Sequence, residues 1–167
     1  MTYKIIDNFL NESEFEIVSK NINNNKIFPW FFQPDVTDEN ENNNYFYFVH
    51  TFFEKDFNIE SPFLYDLKPL LDKLSIKQLL RVKGNLYPNQ GKFIEHQAHR
   101  DYDFKHRGAI FYLNTNDGYT KLDNNEKIKS IKNRLLLFDP SKNHSSTTCT
   151  NNKVRLNINI NFIYIFY

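Results

Sequence analysis

Residues 155–162 read Arg155-Leu156-Asn157-Ile158-Asn159-Ile160-Asn161-Phe162, and this stretch decides how the rest of the chain is read. Strict alternation of polar and apolar side chains marks a β-strand, because successive side chains of an extended chain point to opposite faces. One face carries Arg155, Asn157, Asn159 and Asn161, while the other packs Leu156, Ile158, Ile160 and Phe162 into an outer layer. Polar groups on the inner wall of a small barrel line a pocket and do not fill a core.

Upstream of this strand, from Leu80 onward, short strand-like runs recur at 80–87, 92–101, 108–114, 119–122, 127–131 and 134–139, and a last run spans 153–166. Turn residues separate them, among them Pro88-Asn89-Gln90-Gly91, Asn116-Asp117-Gly118 and Asp139-Pro140-Ser141. Such spacing predicts a sandwich or barrel. The first third is mixed. Asn11 with Glu14 forms a capping-box pattern, and Phe15, Val18 and Ile22 follow at helical spacing up to the Asn run at 23–25. An aromatic stretch at 28–32, with Trp30 assigned to the core, precedes a polar segment at 35–44 that reads as a loop able to close as a lid. Ser61-Pro62 opens a second helix carrying Leu64, Leu67, Leu71 and Leu74, with a kink or split expected at Pro69. The expected fold is α+β: a double-stranded β-helix (jelly-roll) barrel with N-terminal supporting helices. It forms one domain over 1–167, with a support region at 1–79 and a jelly-roll core at 80–167.

Composition narrows the function. Aromatic residues make up 17% of the chain, which favours strands and bulky layered packing. Lys and Arg number 21 against 20 Asp and Glu, so no basic footprint for nucleic acid exists. No apolar run reaches the roughly 18 residues of a spanning helix, and residues 1–9 are too polar for the apolar part of a signal segment. The single cysteine, Cys149, excludes an internal disulfide and suits a reducing compartment, so a cytoplasmic protein without membrane contact is expected. Cys149 has no base beside it in sequence and reads as inert.

His96, His99 and His106 crowd one region, but only His99 belongs to a His-x-Asp triplet, His99-Arg100-Asp101. On an extended strand, positions i and i+2 share a face, so both side chains can reach one metal ion. The triplet alone is weak evidence. A third ligand, His144, follows the run 134–139, and Arg155 lies beyond it on the polar face of the last strand. Two His and one carboxylate with open positions form the facial triad of non-haem iron(II) sites. A buried Arg offers a planar fork to a carboxylate. Together these residues describe a site for iron plus a dicarboxylate. His96 and His106 are read as solvated, and His50 as carrying little expectation of substrate contact.

With those residues in place, the region from Leu80 to Phe162 resembles the 2-oxoglutarate/Fe(II)-dependent oxygenase superfamily, in its prolyl 4-hydroxylase-like branch. The resemblance rests on Tyr87-Pro88-Asn89-Gln90-Gly91 before the triplet, Ile110-Phe111-Tyr112-Leu113-Asn114 with Asp117-Gly118 after it, and Asn133-Arg134-Leu135-Leu136-Leu137-Phe138 before His144. It implies that His99, Asp101 and His144 bind Fe(II) and that Arg155 pairs with the far carboxylate of 2-oxoglutarate, with a hydroxyl from Tyr112 or Tyr87 nearby. The implied chemistry is O₂-dependent hydroxylation with release of succinate and CO₂. The substrate is a peptide or protein side chain, prolyl included, or a small molecule. Asp101 argues against halogenating relatives, which lack that carboxylate. Asn161 stands where nucleic-acid-demethylating relatives carry a second Arg. Tyr119 departs from the Gly that many relatives place after Gly118. Two alternatives stay open at this point: a catalytically inactive jelly-roll binding module, and a cupin-like enzyme using another divalent metal.

Overall fold

The computed structural model describes residues 3–24, 26–35 and 45–164. β1 (Tyr3–Ile6) leads into α1 (Glu12–Asn24), whose start is the capping box read in the sequence. Asn11 N–H donates to Glu14 Oε2 at 2.9 Å, and Glu14 N–H donates to Asn11 Oδ1 at 2.9 Å, so two orphan backbone donors are satisfied reciprocally. The Phe15, Val18 and Ile22 stripe of α1 is buried. β2 (Phe31–Gln33), β3 (Tyr47–Glu54) and β4 (Ile59–Glu60) follow. The Ser61-Pro62 start forms a 3-10 turn (Pro62–Leu67), and α2 (Lys68–Asp72) restarts with Pro69 in its first turn. Pro69 has no N–H to continue a helix from the preceding turn, but is tolerated where that donor is unpaired anyway. The expected split is therefore observed. The segment 36–44, expected as a loop and lid, lies outside the described residues, as does the end of the last run, 165–167.

The remaining chain is β-rich: β5 (Gln78–Pro88), β6 (Arg107–Tyr112), β7 (Tyr119–Lys121), β8 (Lys127–Lys129), β9 (Arg134–Phe138), β10 (Ser145–Ser146) and β11 (Val154–Ile163). An eight-stranded antiparallel sheet runs β1-β9-β6-β11-β5-β3-β2, with β4 added to β3, and a three-stranded sheet runs β10-β7-β8. Two antiparallel sheets with few helices make the expected jelly-roll fold. One correction concerns 92–101, which is not a strand. The isolated bridges Glu95↔Thr147 and His99↔His144 and single backbone bonds such as Asp101 N–H to Pro140 O tie it down in place of a continuous ladder. Ile94 and His96 point inward, but Gln97 and Ala98 are both exposed, so the alternation a strand needs breaks there.

β11 sits between β5 and β6 and divides the molecule. Its apolar face, Leu156, Ile158, Ile160 and Phe162, joins Phe15, Val18, Ile22, Leu67, Leu70 and Phe111 in the main core under the helices. A smaller cluster of Ile110, Tyr112, Leu122, Ile128, Leu136 and Phe138 closes one end of the space on the other side of the sheet. Trp30 packs against the main core and His50 is buried within its aromatic edge, hydrogen-bonded to Pro29 O at 2.9 Å and Ser61 Oγ at 2.8 Å.

Phe111 is fully buried, with the Phe9 and Phe15 rings 6.4 and 5.9 Å away. Phe111→Ala is expected to lower unfolding stability by about 3–5 kcal/mol through lost burial and a residual cavity. Urea denaturation checks this: the midpoint falls while the slope holds.

Candidate active site

His99 and His144 are brought face to face by a two-way backbone bridge. Each residue's N–H donates to the other's carbonyl at 2.9 Å, and the rings lie 4.6 Å apart. The 92–101 loop is thus sewn to the start of β10, and Asp101 N–H donates to Pro140 O at 3.0 Å. Asp101 Oδ1 lies 3.8 Å from His99 Nε2, and Oδ2 lies 4.0 Å from His144 Nε2. One ligand atom from each of the three residues falls within 4.8 Å of the others. The Nδ1 of His144 bonds the Lys142 carbonyl at 3.0 Å. That contact places the proton on Nδ1 and turns the Nε2 lone pair toward the other two ligands.

The carboxyl of Asp101 is held on both oxygens. Arg81 Nη2 donates to Oδ1 at 2.8 Å and Asn159 Nδ2 donates to Oδ2 at 3.1 Å. Burial pushes this carboxyl up, but Arg81, His144 and His99 outweigh burial and hold it at about 2. Burial, reinforced by His144, lowers His99 to about 4. At neutral pH the cluster therefore presents an ionised carboxylate and a neutral His99, the protonation states that ligate metal.

At the other end of the same cleft lies Arg155, fully buried. Its Nε donates to Ser130 Oγ at 2.8 Å, Nη2 to Thr120 Oγ1 at 3.1 Å, and Nη1 to Thr147 O at 3.4 Å. Its guanidinium lies 5.3 Å from the Tyr87 ring centre and 5.7 Å from that of Tyr112. Among the described residues Arg155 forms no ion pair with a carboxylate. The cleft between them is lined by Asn85, Tyr87, His99, His144, Arg155 and Asn157, among others, and spans about 310 Å³ including its open mouth. It is a narrow slot. A roomier groove beside Phe9, Phe15, Lys73 and Lys132 lies on the helix side and has no metal-ligating cluster among the described residues.

Solved structures with this arrangement of strands are numerous. A viral collagen prolyl hydroxylase of Paramecium bursaria Chlorella virus 1, solved with 2-oxoglutarate, superposes with a TM-score of 0.62 at 15% identity, over 99% of this chain and 97% of that one. A Trichoplax adhaerens prolyl hydroxylase bound to a hypoxia-inducible-factor peptide gives 0.65 at 18% identity, over 96% and 83%. A Pseudomonas putida prolyl 4-hydroxylase gives 0.64 at 13%, over 98% and 93%. The fold is that of prolyl hydroxylase-like 2-oxoglutarate/Fe(II) oxygenases. No protein-family model and no curated protein matches the sequence.

Within this oxygenase fold the two tyrosines differ in position. Tyr87 lines the cleft, whereas Tyr112 is fully buried behind it and its hydroxyl donates to Thr120 Oγ1 at 2.8 Å. Burial raises both hydroxyls above the usual phenol range against the pull of Arg155, so each stays a donor. The reading of His96 and His106 as solvated is overturned. His96 is 8% exposed, stacked on Tyr87, with Nδ1 2.8 Å from Ser146 Oγ. His106 is buried with Nε2 2.9 Å from Asn161 Oδ1 and Nδ1 2.8 Å from Phe104 O. Both loops fold back over the polar face of β11, which pairing patterns in sequence do not report. Arg81, Asn159 and Gly118 were not singled out for this site. Asn159 was visible as a member of the polar row, but Arg81 carried no local signal. Cys149 is buried, with burial raising its thiol, in keeping with an inert role.

A Cβ on Gly118 would stand 2.6 Å from Arg155 Cδ, 2.7 Å from Thr148 O and 2.8 Å from Asn116 Oδ1. Gly118→Ala is therefore expected to displace the Arg155 side chain, costing about 1–3 kcal/mol of stability by overpacking and weakening dicarboxylate binding. Calorimetry with 2-oxoglutarate checks this against thermal unfolding of the same variant. A second expectation concerns acid. Burial, with Arg155 and His99 adding to it, holds His96 at about 4 against an ordinary 6.5. The unfolded chain then binds a proton that the native state refuses between these values. Stability is full above about pH 6.5 and falls toward pH 4 by roughly 3 kcal/mol from this residue. Urea denaturation of wild type and His96→Phe across pH 7 to 4.5 should show a shallower decline in the variant.

Proposed function

We propose that this protein is an Fe(II)- and 2-oxoglutarate-dependent dioxygenase that hydroxylates its substrate, with His99, Asp101 and His144 holding the metal and Arg155 holding the far carboxylate of the co-substrate. The observation that carries this reading is the pairing of two features along one slot. A fully buried guanidinium, without a carboxylate partner among the described residues, stands at one end, and two imidazoles and one ionised carboxylate converge at the other.

The residues suit both groups. Two nitrogen donors and one carboxylate on one side of an ion leave positions open for exogenous ligands, the donor set of iron(II) oxygenases. A buried Arg positive charge is costly unless an anion meets it, and 2-oxoglutarate brings two carboxylates. When bound, Fe(II), 2-oxoglutarate and O₂ supply the oxidation: one oxygen atom goes into succinate as CO₂ leaves, and the other into the substrate C–H bond. The chain's own work is placement. Arg155, steadied by Ser130, Thr120 and Thr147, binds the carboxylate away from the metal. Tyr87 and Asn157 line the cleft and would flank the co-substrate between Arg155 and the three metal-binding residues. The mutual bridge of His99 and His144 fixes two ligands at one spacing before metal arrives.

The substrate class we assign is a peptide or protein side chain, prolyl included, with a small molecule as the remaining reading. Supporting the former, the wall of the slot continues in cross-strand register from Asn157 to Asn85 on β5, Val49 on β3 and Phe31 on β2. Phe31 is 57% exposed on that outermost strand. A row that runs from the exposed Phe31 through Val49 to Asn85 and Asn157 of the slot suits an extended chain better than a compact solute.

Anaerobic titration of the protein with Fe(II) and then 2-oxoglutarate tests the reading. A visible charge-transfer band and O₂-dependent succinate release are expected, both lost in His99→Ala and Asp101→Ala. Arg155→Ala is expected to weaken 2-oxoglutarate binding by roughly 10–100-fold, the loss of charge-assisted bonds worth about 1.5–3 kcal/mol, while metal binding survives. Absence of any 2-oxoglutarate-dependent band in wild type would sink the assignment.

A further inference from the structure

Arg81 occupies an unusual position on β5. The β3–β5 register pairs Thr51 with Lys83, then Phe53 with Val82 and Glu54 with Arg81, so one residue of β3 is extra. Uninterrupted pairing would set Phe53 opposite Arg81; the bulge sets a carboxylate there instead. Bulges re-aim side chains in this way beside functional sites. The guanidinium meets three groups. Its Nη2 donates to Asp101 Oδ1 at 2.8 Å, its Nε lies 4.0 Å from Glu54 Oε2, and its carbon stands 5.2 Å from the Tyr102 ring centre. Tyr102 closes the set by donating its hydroxyl to Glu54 Oε1 at 3.0 Å. The consecutive residues Asp101 and Tyr102 thus clasp Arg81 from two sides. The side chains are 18% exposed for Arg81, 12% for Glu54 and 4% for Asp101.

We propose that Arg81, seated by Glu54 and Tyr102, is a positioning residue that fixes the Asp101 carboxylate for metal binding. The proposal rests on the reading of His99, Asp101 and His144 as a metal centre. With Asn159 on the second oxygen, Arg81 stops the carboxyl from rotating away from the two imidazoles. Groups behind a metal ligand commonly set affinity in this manner. Glu54 has a separate effect. Arg81 alone would neutralise Asp101 and weaken its pull on a divalent cation. With Glu54 the three groups sum to one negative charge, so orientation is gained without cancelling the ligand's charge. Two opposed outcomes follow for Arg81→Gln. If orientation dominates, metal binding weakens; if only the nearby positive charge matters, binding tightens.

Co(II) titration of the full chain, read by its visible d–d bands, decides between them. Wild type should bind and His99→Ala should not. Arg81→Gln is expected to raise the Co(II) dissociation constant by about 10–100-fold and to change the d–d envelope, which a purely structural role would leave alone. Arg81→Lys should recover part of the affinity, since an ammonium keeps one donor and the charge but loses the fork. Glu54→Gln and Tyr102→Phe should weaken binding in the same direction by less, and they carry the test if Arg81→Gln does not fold. Unchanged or tighter binding with an unchanged envelope in the Arg81 variants overturns the proposal while the metal centre stands. Failure of wild type to bind Co(II), or binding unaffected by His99→Ala, overturns the metal centre and the proposal together.

Discussion

β11 is hydrogen-bonded to β5 on one side and β6 on the other, and both of its faces are buried. A strand in that position normally reads as a continuous apolar run, because neither face meets water. Here every second side chain is instead Arg or Asn, and their desolvation must be offset by partners. Asn85 Nδ2 donates to Asn157 Oδ1 at 3.0 Å, Asn159 reaches Asp101, Asn161 meets His106, and Arg155 meets Ser130, Thr120 and Thr147. The partners come from three separate parts of the chain: β5, residues 92–106 and the surroundings of the small sheet. The polar row therefore acts as a template onto which β5, the 92–106 region and the small sheet assemble, while the apolar row fastens the helices.

Two arginines, Arg81 partly buried and Arg155 fully buried, divide the electrostatics of the site. Arg81 faces two carboxylates of the chain, Asp101 and Glu54. Arg155 faces hydroxyls, one carbonyl and two aromatic rings, which stabilise a cation without neutralising it. The first arrangement restrains a carboxylate that belongs to the protein; the second leaves charge available for one that does not. Equal chemistry at the two positions would serve neither end, because an unpaired Arg81 would repel a metal ion and a paired Arg155 would repel a dicarboxylate.

The parts of this design that repeat along the chain were legible in the sequence. Period-two alternation reported β11 and its faces, helical spacing and a capping box reported α1, and Pro69 reported the split before α2. His99, Asp101, His144 and Arg155 were legible as a set because their residue types are chemically restrictive. The reason given for His99 and Asp101 sharing a face was different from the one found. They do not lie on a strand; a bridge to His144 and a bond to Pro140 hold the loop. Arg81 and Glu54 were not legible, since the bulge that opposes them exists only once β3 and β5 pair. His96 and His106 were misplaced for a related reason: a single His has no periodicity, and its burial depends on which loop folds over it. Gly118 marked a turn in the sequence, but its close approach to Arg155 is a property of packing between distant segments.

The way the ligands are joined has a thermodynamic consequence. His99 and His144 sit on segments far apart in sequence, tied by their own backbone bonds and by no regular strand on the His99 side. The main apolar cluster lies under the helices, and at this junction the Phe138 ring packs edge-on against His144, 5.0 Å away. An ion held by the two imidazoles and Asp101 would add a further tie between these segments, and its binding energy would stabilise the junction. The template on β11 brings the segments close, and a bound ion would then hold them.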